Sequence, residues 1–278
     1  MNVSVPIRLR PLEIGDLLDE TFRMYRRHFL LFAGISVILA IPSAALSGYT
    51  YYALFSSFLR PTSAGVLPNF SSLTPVLVAL GTNLVVGVGL APFTYGAVTY
   101  AACESALGRS VSPGGIVKGI LQRYFQLLGF WLLVGLMLYV GFCLIPLWIW
   151  IWVGWVAVVP AMFVENTGLG AAMGRSWRLV EGRWWRTFLV LFLLVIITVV
   201  LRVGLAAFLV LAEQLLLVVA SQYLVLSITQ ATNVIIDSLV NPVLQIAIVL
   251  VYLDLRVRRE ALDLFQLAQR VSATAPSL

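Results

Sequence analysis

The chain has 278 residues, a mean hydropathy of +0.99, and 61% hydrophobic side chains against 11% charged ones. A soluble domain carries about 45–50% apolar and about 25% charged residues, and a core of this length cannot hide so much apolar surface from water, so the composition excludes a soluble globular protein. The net charge of +6 does not point to nucleic acid, because the arginines interleave with membrane-seeking tryptophan and lipid phosphate is the matching anion.

The pattern that results is an all-α integral membrane protein, read as one domain over residues 1–278. Residues 11–28 place Ile14, Leu17, Leu18, Thr21, Phe22 and Tyr25 on one broad helical face. Pro11 suits the first turn, Glu13 and Asp16 follow it, and Arg23, Arg26 and Arg27 close the segment, so the charges complement the helix dipole. This predicts an amphipathic helix lying at the membrane interface. A spanning helix needs about 20 apolar residues, and residues 29–53 supply the first, with Pro42 inside it. The polar stretch before it is too long for a signal peptide and reads as part of an uncleaved anchor. Residues 54–73, rich in Ser, Pro, Thr and Asn, form a loop.

Residues 74–103 form the second span, interrupted by Pro92. Residues 110–124 are a thinner, Gly-rich interfacial helix with Ile116, Ile120 and Leu121 apolar and Lys118, Gln122 and Arg123 polar. Spans at 125–142 and 145–164 make a tight hairpin at Pro146. A third interfacial helix covers 167–186, and the fifth span 187–210. Residues 234–254 are the sixth, with 212–232 extending the fifth helix or lying on the far interface.

Charge fixes the topology, because Lys and Arg mark cytoplasmic flanks. With six spans, every Lys and Arg except Arg60 and Arg202 falls on one side. A seventh span would send Arg256, Arg258, Arg259 and Arg270 outward. Both termini are therefore expected in the cytoplasm, with the bundle in the cell membrane.

The stretch GRSWRLVEGRWWRTF, residues 174–188, is the densest signal. Taken as one helix over 169–186, it puts Leu169, Met173, Trp177, Val180 and Trp184 on one face. Arg175, Arg178, Arg183 and Arg186 fall on the opposite arc. Such a helix rests on the inner leaflet, with Trp177, Trp184 and Trp185 at headgroup depth and its arginines on anionic phosphates. Arg23, Arg26 and Arg27 are assigned the same role. The three clusters RRHF, RYF and RWWRTF each run into a span, which suggests three units of interfacial helix plus two spans.

RPLEIGDLLDETFRMYRRHFLLF, ENTGLGAAMGRSWRLVEGRWWRTF and YLDLRVRREALDL resemble a widespread family of uncharacterised bacterial and archaeal multi-pass proteins. That family is similar to the membrane domain fused to some glycerophosphodiester phosphodiesterases. The resemblance covers nearly the whole chain and implies a six-helix membrane domain. It brings no catalytic residues, and the phosphodiesterase domain is absent, so it does not imply hydrolysis.

Motifs for chemistry are missing. There is no Walker-type GxxxxGK[ST], no GxSxG elbow, and no carboxylate or cysteine at ligand spacing from His28, the single histidine. SPGG at 112–115 reads as a turn, and Cys103 and Cys143 as small packing residues. No catalytic, cofactor-binding or metal-binding residue is assigned, and no enzyme is expected. Three membrane charges stand out: Arg202 in the fifth span, Glu213 eleven residues later, and Asp237 at the start of the sixth. They read either as a polar site on a substrate route or as an ion pair or snorkelling arginine. Glu165 and Asn166 read as a turn, and Glu181 as an exposed partner for an arginine. Two functions remain open: a non-enzymatic scaffold that grips anionic lipid and docks another membrane protein, or a transporter or lipid-handling protein with a site near Arg202 and Asp237. An open cavity at those residues would favour the second.

Overall fold

The computed structural model describes residues 13–62, 65–68, 73–140 and 145–274. Arg8, Arg10, Pro11, Cys143 and the turn between the third and fourth spans lie outside the described residues. The chain is a multi-pass membrane protein: six helices are long and apolar enough to cross a bilayer, Phe29–Ser56, Thr74–Ala106, Pro113–Met137, Ile145–Val164, Trp184–Leu216 and Gln222–Glu260.

Helix α1 (Ile14–Arg27) buries Leu17, Thr21 and Met24, one face at helical spacing, and leaves Arg23, Arg26 and Arg27 exposed. The single residue His28 separates it from α2 (Phe29–Phe58), which runs through Pro42 without a break. The expected loop at 54–73 therefore begins one turn late. It contains a short antiparallel hairpin, β1 (Leu59–Thr62) on β2 (Gly65–Pro68).

The second span is α3 (Thr74–Leu84), a π-helical stretch (Val85–Leu90) and α4 (Ala91–Ala106). Pro92 sits in the first turn of α4, and the wider π-turn ahead of it accommodates the missing amide. Tyr124 Oη donates to Gly89 O at 3.0 Å and so holds that irregular backbone in place.

Residues 113–140 form one continuous helix, α5 (Pro113–Val140). The separate interfacial helix expected at 110–124 is instead the first half of the third span, so the middle unit departs from the first and third. No Gly or Pro inside the segment after Gly119 interrupts the ladder until Gly129, and Ile116 and Ile120 are buried in line with Leu127.

The fourth span is broken. Helix α6 (Ile145–Gly154) gives way to α7 (Val158–Val164) across Trp155–Ala157. Pro160 explains the position, since its ring crowds the carbonyl four residues back and it has no amide to donate. Pro42 and Pro242, by contrast, lie inside continuous helices.

Helix α8 (Leu169–Val180) and α9 (Trp184–Leu216) are separate elements. The single helix expected over 169–186 stops at Val180 because Gly182 adopts φ +79°, a left-handed conformation that ends helices and suits glycine. Arg183 and Arg186 therefore do not share a helix with Arg175 and Arg178. The last helix, α10 (Gln222–Thr274), starts just past a turn at 217–221. Residues 212–232 are thus divided: the first part completes α9, and the rest begins the sixth span.

Helix α10 is the central post and packs against α1, α2, α4, α7, α8 and α9. Ile246, Ala247, Val249, Leu250, Tyr252 and Leu255 are almost wholly buried along it. Lipid gives helices no hydrophobic reason to associate, so close backbone approach and polar contacts must supply it. Against α2 they do: a Cβ on Gly48 would lie 3.1 Å from Ser227 O, and Ser227 Oγ donates to Gly48 O at 2.7 Å.

Candidate functional site

Two polar regions stand out in this apolar frame. The first is the basic end of the bundle, where α5, α7, α8, α9 and α10 converge. Asp254 of α10 has no exposed side-chain surface and accepts from Arg186 Nη1 at 2.7 Å and from Arg258 Nε at 3.0 Å. Arg175 of α8 donates to Glu165 at 2.9 Å and to Glu260 at 2.9 Å. Glu165 also accepts from Tyr252 Oη at 2.9 Å, and Glu260 from Arg256 Nε at 2.8 Å. Arg123 of α5 reaches Thr167 O at 2.7 Å and Asn166 Oδ1. Asn166 turns the chain there with φ +54°.

Of the arginines assigned to the lipid interface, Arg175 and Arg186 are thus engaged with carboxylates on other elements. Arg178 is exposed, and its carbonyl accepts from Arg259. Arg259 also stands 3.7 Å from the exposed Glu181. Arg23 pairs with Glu20 at 3.0 Å on the surface of α1. Arg183 has no ion pair among the described residues. Burial, followed by the charge of Arg258, lowers its affinity for its proton, with Asp254 opposing and Arg186 and Arg259 adding to the effect.

The tryptophans of this region mostly pack on protein. Trp177 lies over Gly154, where a Cβ would fall 2.4 Å from the ring, and meets Trp150 edge to face at 4.5 Å. Trp184 Nε1 donates to Trp150 O at 3.2 Å, and its ring stacks on Phe188. Trp185 is 76% exposed.

The second region lies inside the spans. Arg202 Nε is 2.8 Å from Asp237 Oδ1, which joins α9 to α10. Glu213 is half-exposed elsewhere on α9, and the ion pair of Arg202 goes to Asp237 instead. Asp237 also lines a cavity of about 380 Å³ between α2, α4, α5 and α10. Ser36, Ser43, Thr94, Ser238, Asn241 and Gln245 contribute its other polar walls. Ser36 is 2% exposed and Gln245 7%, yet Ser36 Oγ and Gln245 Oε1 have no hydrogen-bond partner among the described residues.

A second cavity of about 330 Å³ adjoins the first and shares Tyr95, Trp131 and Leu244 with it. Its remaining walls include Phe130, Val134, Trp148, Trp152, Trp155 and Ile248. Trp148 and Trp152 stack at 6.1 Å, and Tyr95 lies 5.6 Å from Trp131. The first compartment thus carries several polar side chains on a mainly apolar wall, and the next is almost wholly aromatic and aliphatic.

The cavity could not be assembled from the linear sequence, but part of its wall was readable. Asp237, Asn241 and Gln245 recur every four residues in an apolar span, which places one polar stripe along α10. Among the described residues no group of three His, Cys, Asp or Glu is placed to hold a metal ion. Comparison with protein-family models, with curated proteins and with solved structures finds no match to this chain.

Proposed function

We propose that the protein is a non-enzymatic lipid-handling protein, which draws an amphiphile from the bilayer into the paired cavities between α2, α4, α5, α6 and α10. The observation that carries this reading is the junction of the two compartments at Tyr95, Trp131 and Leu244. On one side stand Ser43, Asp237, Asn241 and Gln245, and on the other a tryptophan-rich wall. The ion pair of Arg202 with Asp237 borders the polar side. The π-turn before Pro92 adds irregular backbone of the kind that recurs at functional sites.

The basic end faces the cytoplasm of the cell membrane in this reading, following the bias of Lys and Arg. Cysteines placed at position 258 in a background without Cys103 and Cys143 should then escape an impermeant thiol label in intact cells; labelling would invert the orientation. The likeness to the membrane domain fused to phosphodiesterases fits a protein that works beside enzymes of lipid metabolism.

A second reading keeps the basic end as its centre: a scaffold that grips anionic lipid with amphipathic helices and docks a membrane partner. Exposed Arg26, Arg27 and Arg178, together with Trp185, support it. It has the weaker case, because Arg175, Arg186, Arg256 and Arg258 already have internal partners.

Purification from native membrane into nanodiscs, followed by lipid identification by mass spectrometry, tests the first reading. An amphiphile retained by the wild-type chain and lost on Leu244→Trp, which fills the shared wall, is the expected result. Equal retention by both would refute it.

A further inference from the structure

A further cavity, of about 280 Å³, opens at the basic end of the bundle and shares no lining residue with the pair described above. Three indoles line it, Trp150, Trp177 and Trp184, together with Glu181 and Gly182. The protein holds these rings in place. Trp150 and Trp177 meet at 79° and so stand as two walls of a corner, and Trp184 is fixed by the bond from its Nε1 to Trp150 O. That bond uses the one N–H of Trp184 and leaves its ring only apolar and π surface to offer. Trp150 is 46% exposed and the side chain of Glu181 66%, so a ligand can reach the walls.

Indole rings beside a carboxylate attract a cation, because the face of an aromatic ring is electrostatically negative. Glu181 adds a full charge, and Arg259 at 3.7 Å is too far away to hydrogen-bond it. The carbonyls of Trp150, Gly154, Trp177 and Val180 already accept hydrogen bonds from within the chain. A primary ammonium has three N–H groups to place and is served mainly by Glu181. A quaternary ammonium has none and needs only the rings and the charge. The surroundings disfavour a bare cation, however. Arg183, between Gly182 and Trp184, lies in the combined positive charge of Arg258, Arg186 and Arg259, which Asp254 offsets in part. A cation that carries its own phosphate escapes this repulsion, since it brings an anion for Arg183. Trp150 and Trp184 belong to helices long and apolar enough to cross the bilayer, so the ligand within reach is a lipid.

We infer that this cage binds the head of a zwitterionic phospholipid, with its quaternary ammonium among Trp150, Trp177, Trp184 and Glu181 and its phosphate turned towards Arg183. The site stands apart from the paired cavities and does not depend on them.

The test offers the full chain in detergent equal amounts of phosphatidylcholine, phosphatidylethanolamine and phosphatidylglycerol with matched acyl chains, and reads bound lipid by native mass spectrometry. The first two differ only in the methyl groups on nitrogen, and the third lacks the cation. Phosphatidylcholine should be retained about tenfold over phosphatidylglycerol, which corresponds to about 1.4 kcal/mol, and should also exceed phosphatidylethanolamine. Glu181→Gln and Trp150→Leu should each pull these ratios towards one, with melting temperatures confirming that the variants fold. Should Trp150→Leu fail to fold, the exposed Glu181→Gln carries the comparison. Leu244→Trp fills the wall of the paired cavities and should leave the ratios unchanged. Equal retention of the three lipids, ratios that Glu181→Gln leaves intact, or ratios that Leu244→Trp alone abolishes would each overturn the assignment. Displacement of phosphatidylcholine by equimolar phosphocholine would overturn it too, since the chain would then read a soluble head and not a lipid.

Discussion

Asp254 offers the sharpest test of how this bundle is held together. Its carboxylate is fully enclosed and holds Arg186 of α9 at 2.7 Å and Arg258 of its own helix at 3.0 Å. Replacing it by Asn keeps the shape and removes the charge. Arg186 and Arg258 then lose the carboxylate they share, with the charge of Arg183 close by. Breaking a buried pair by removing one partner costs about 3–5 kcal/mol. The two guanidinium side chains are 25% and 24% exposed, so water recovers part of that, and about 2–4 kcal/mol is expected. At about 2–4 °C per kcal/mol for a chain of this size, the melting temperature should fall by roughly 5–15 °C. Thermal unfolding of purified protein in detergent measures it, with Glu20→Gln as the control. Glu20 serves the mostly exposed Arg23, so its loss should cost about 1 kcal/mol or less. An Asp254→Asn protein that melts with the control would refute the reasoning. So would an Arg186→Met change whose effect simply adds to that of Asp254→Asn, since residues sharing a buried charge must couple.

Gly154→Ala should destabilise by about 1–3 kcal/mol, because its new methyl meets the Trp177 ring at 2.4 Å. Gly135→Ala, with nothing within 4 Å of its Cβ, should be neutral in the same melting assay. Arg202→Leu strips Asp237 of its counter-ion and should lower the yield of stable protein. Adding Asp237→Asn should restore most of it, and a double variant as poor as the single one would show that the pair does not couple. At His28, burial and then the charge of Arg27 lower the folded-state pKa below 6.5. The unfolded chain therefore binds the proton first on acidification, so stability declines as pH drops below about 6.5 and levels off once the folded state protonates too. The difference in melting temperature between wild type and His28→Gln, followed from neutral to mildly acid pH, should show that slope; a constant difference would exclude it.

Apolar length made the six spans legible, since a bilayer demands a run that few other settings tolerate. Breaks within helices were harder to see. Gly182 was a visible stop signal, yet the spacing of Trp177, Val180 and Trp184 fitted a continued helix equally well; backbone conformation decided, not side-chain periodicity. Pro160 looked no different from Pro42 or Pro242, and only the first is preceded by a break, because neighbouring helices can support backbone that proline leaves open. Tyr25 anchors the neighbouring turn of α10, its hydroxyl donating to Leu239 O at 2.7 Å, one residue along from the Ser238 carbonyl that Pro242 cannot pair. The arginines were located by sequence and their partners were not. Asp254 with Arg258 and Arg256 with Glu260 are four residues apart and could have been read as pairs. The links from Arg186 to Asp254 and from Arg175 to Glu260 join helices whose adjacency no local pattern encodes. The cavity was hidden for the same reason, since its wall draws on four helices.

The hydroxyl of Ser176 closes the gap in the fourth span: it accepts from Ala157 N at 3.1 Å and donates to Gly154 O at 2.7 Å. That span emerges from the ribosome before its repair does, because Ser176 is synthesised after the helix it completes. Until α8 folds back, one amide and one carbonyl at the break have no partner there, and hydrocarbon offers none. The fourth helix should therefore stay near the translocon or the interface during synthesis and settle only when residue 176 has arrived, so that membrane insertion and tertiary folding become a single event at this point in the chain.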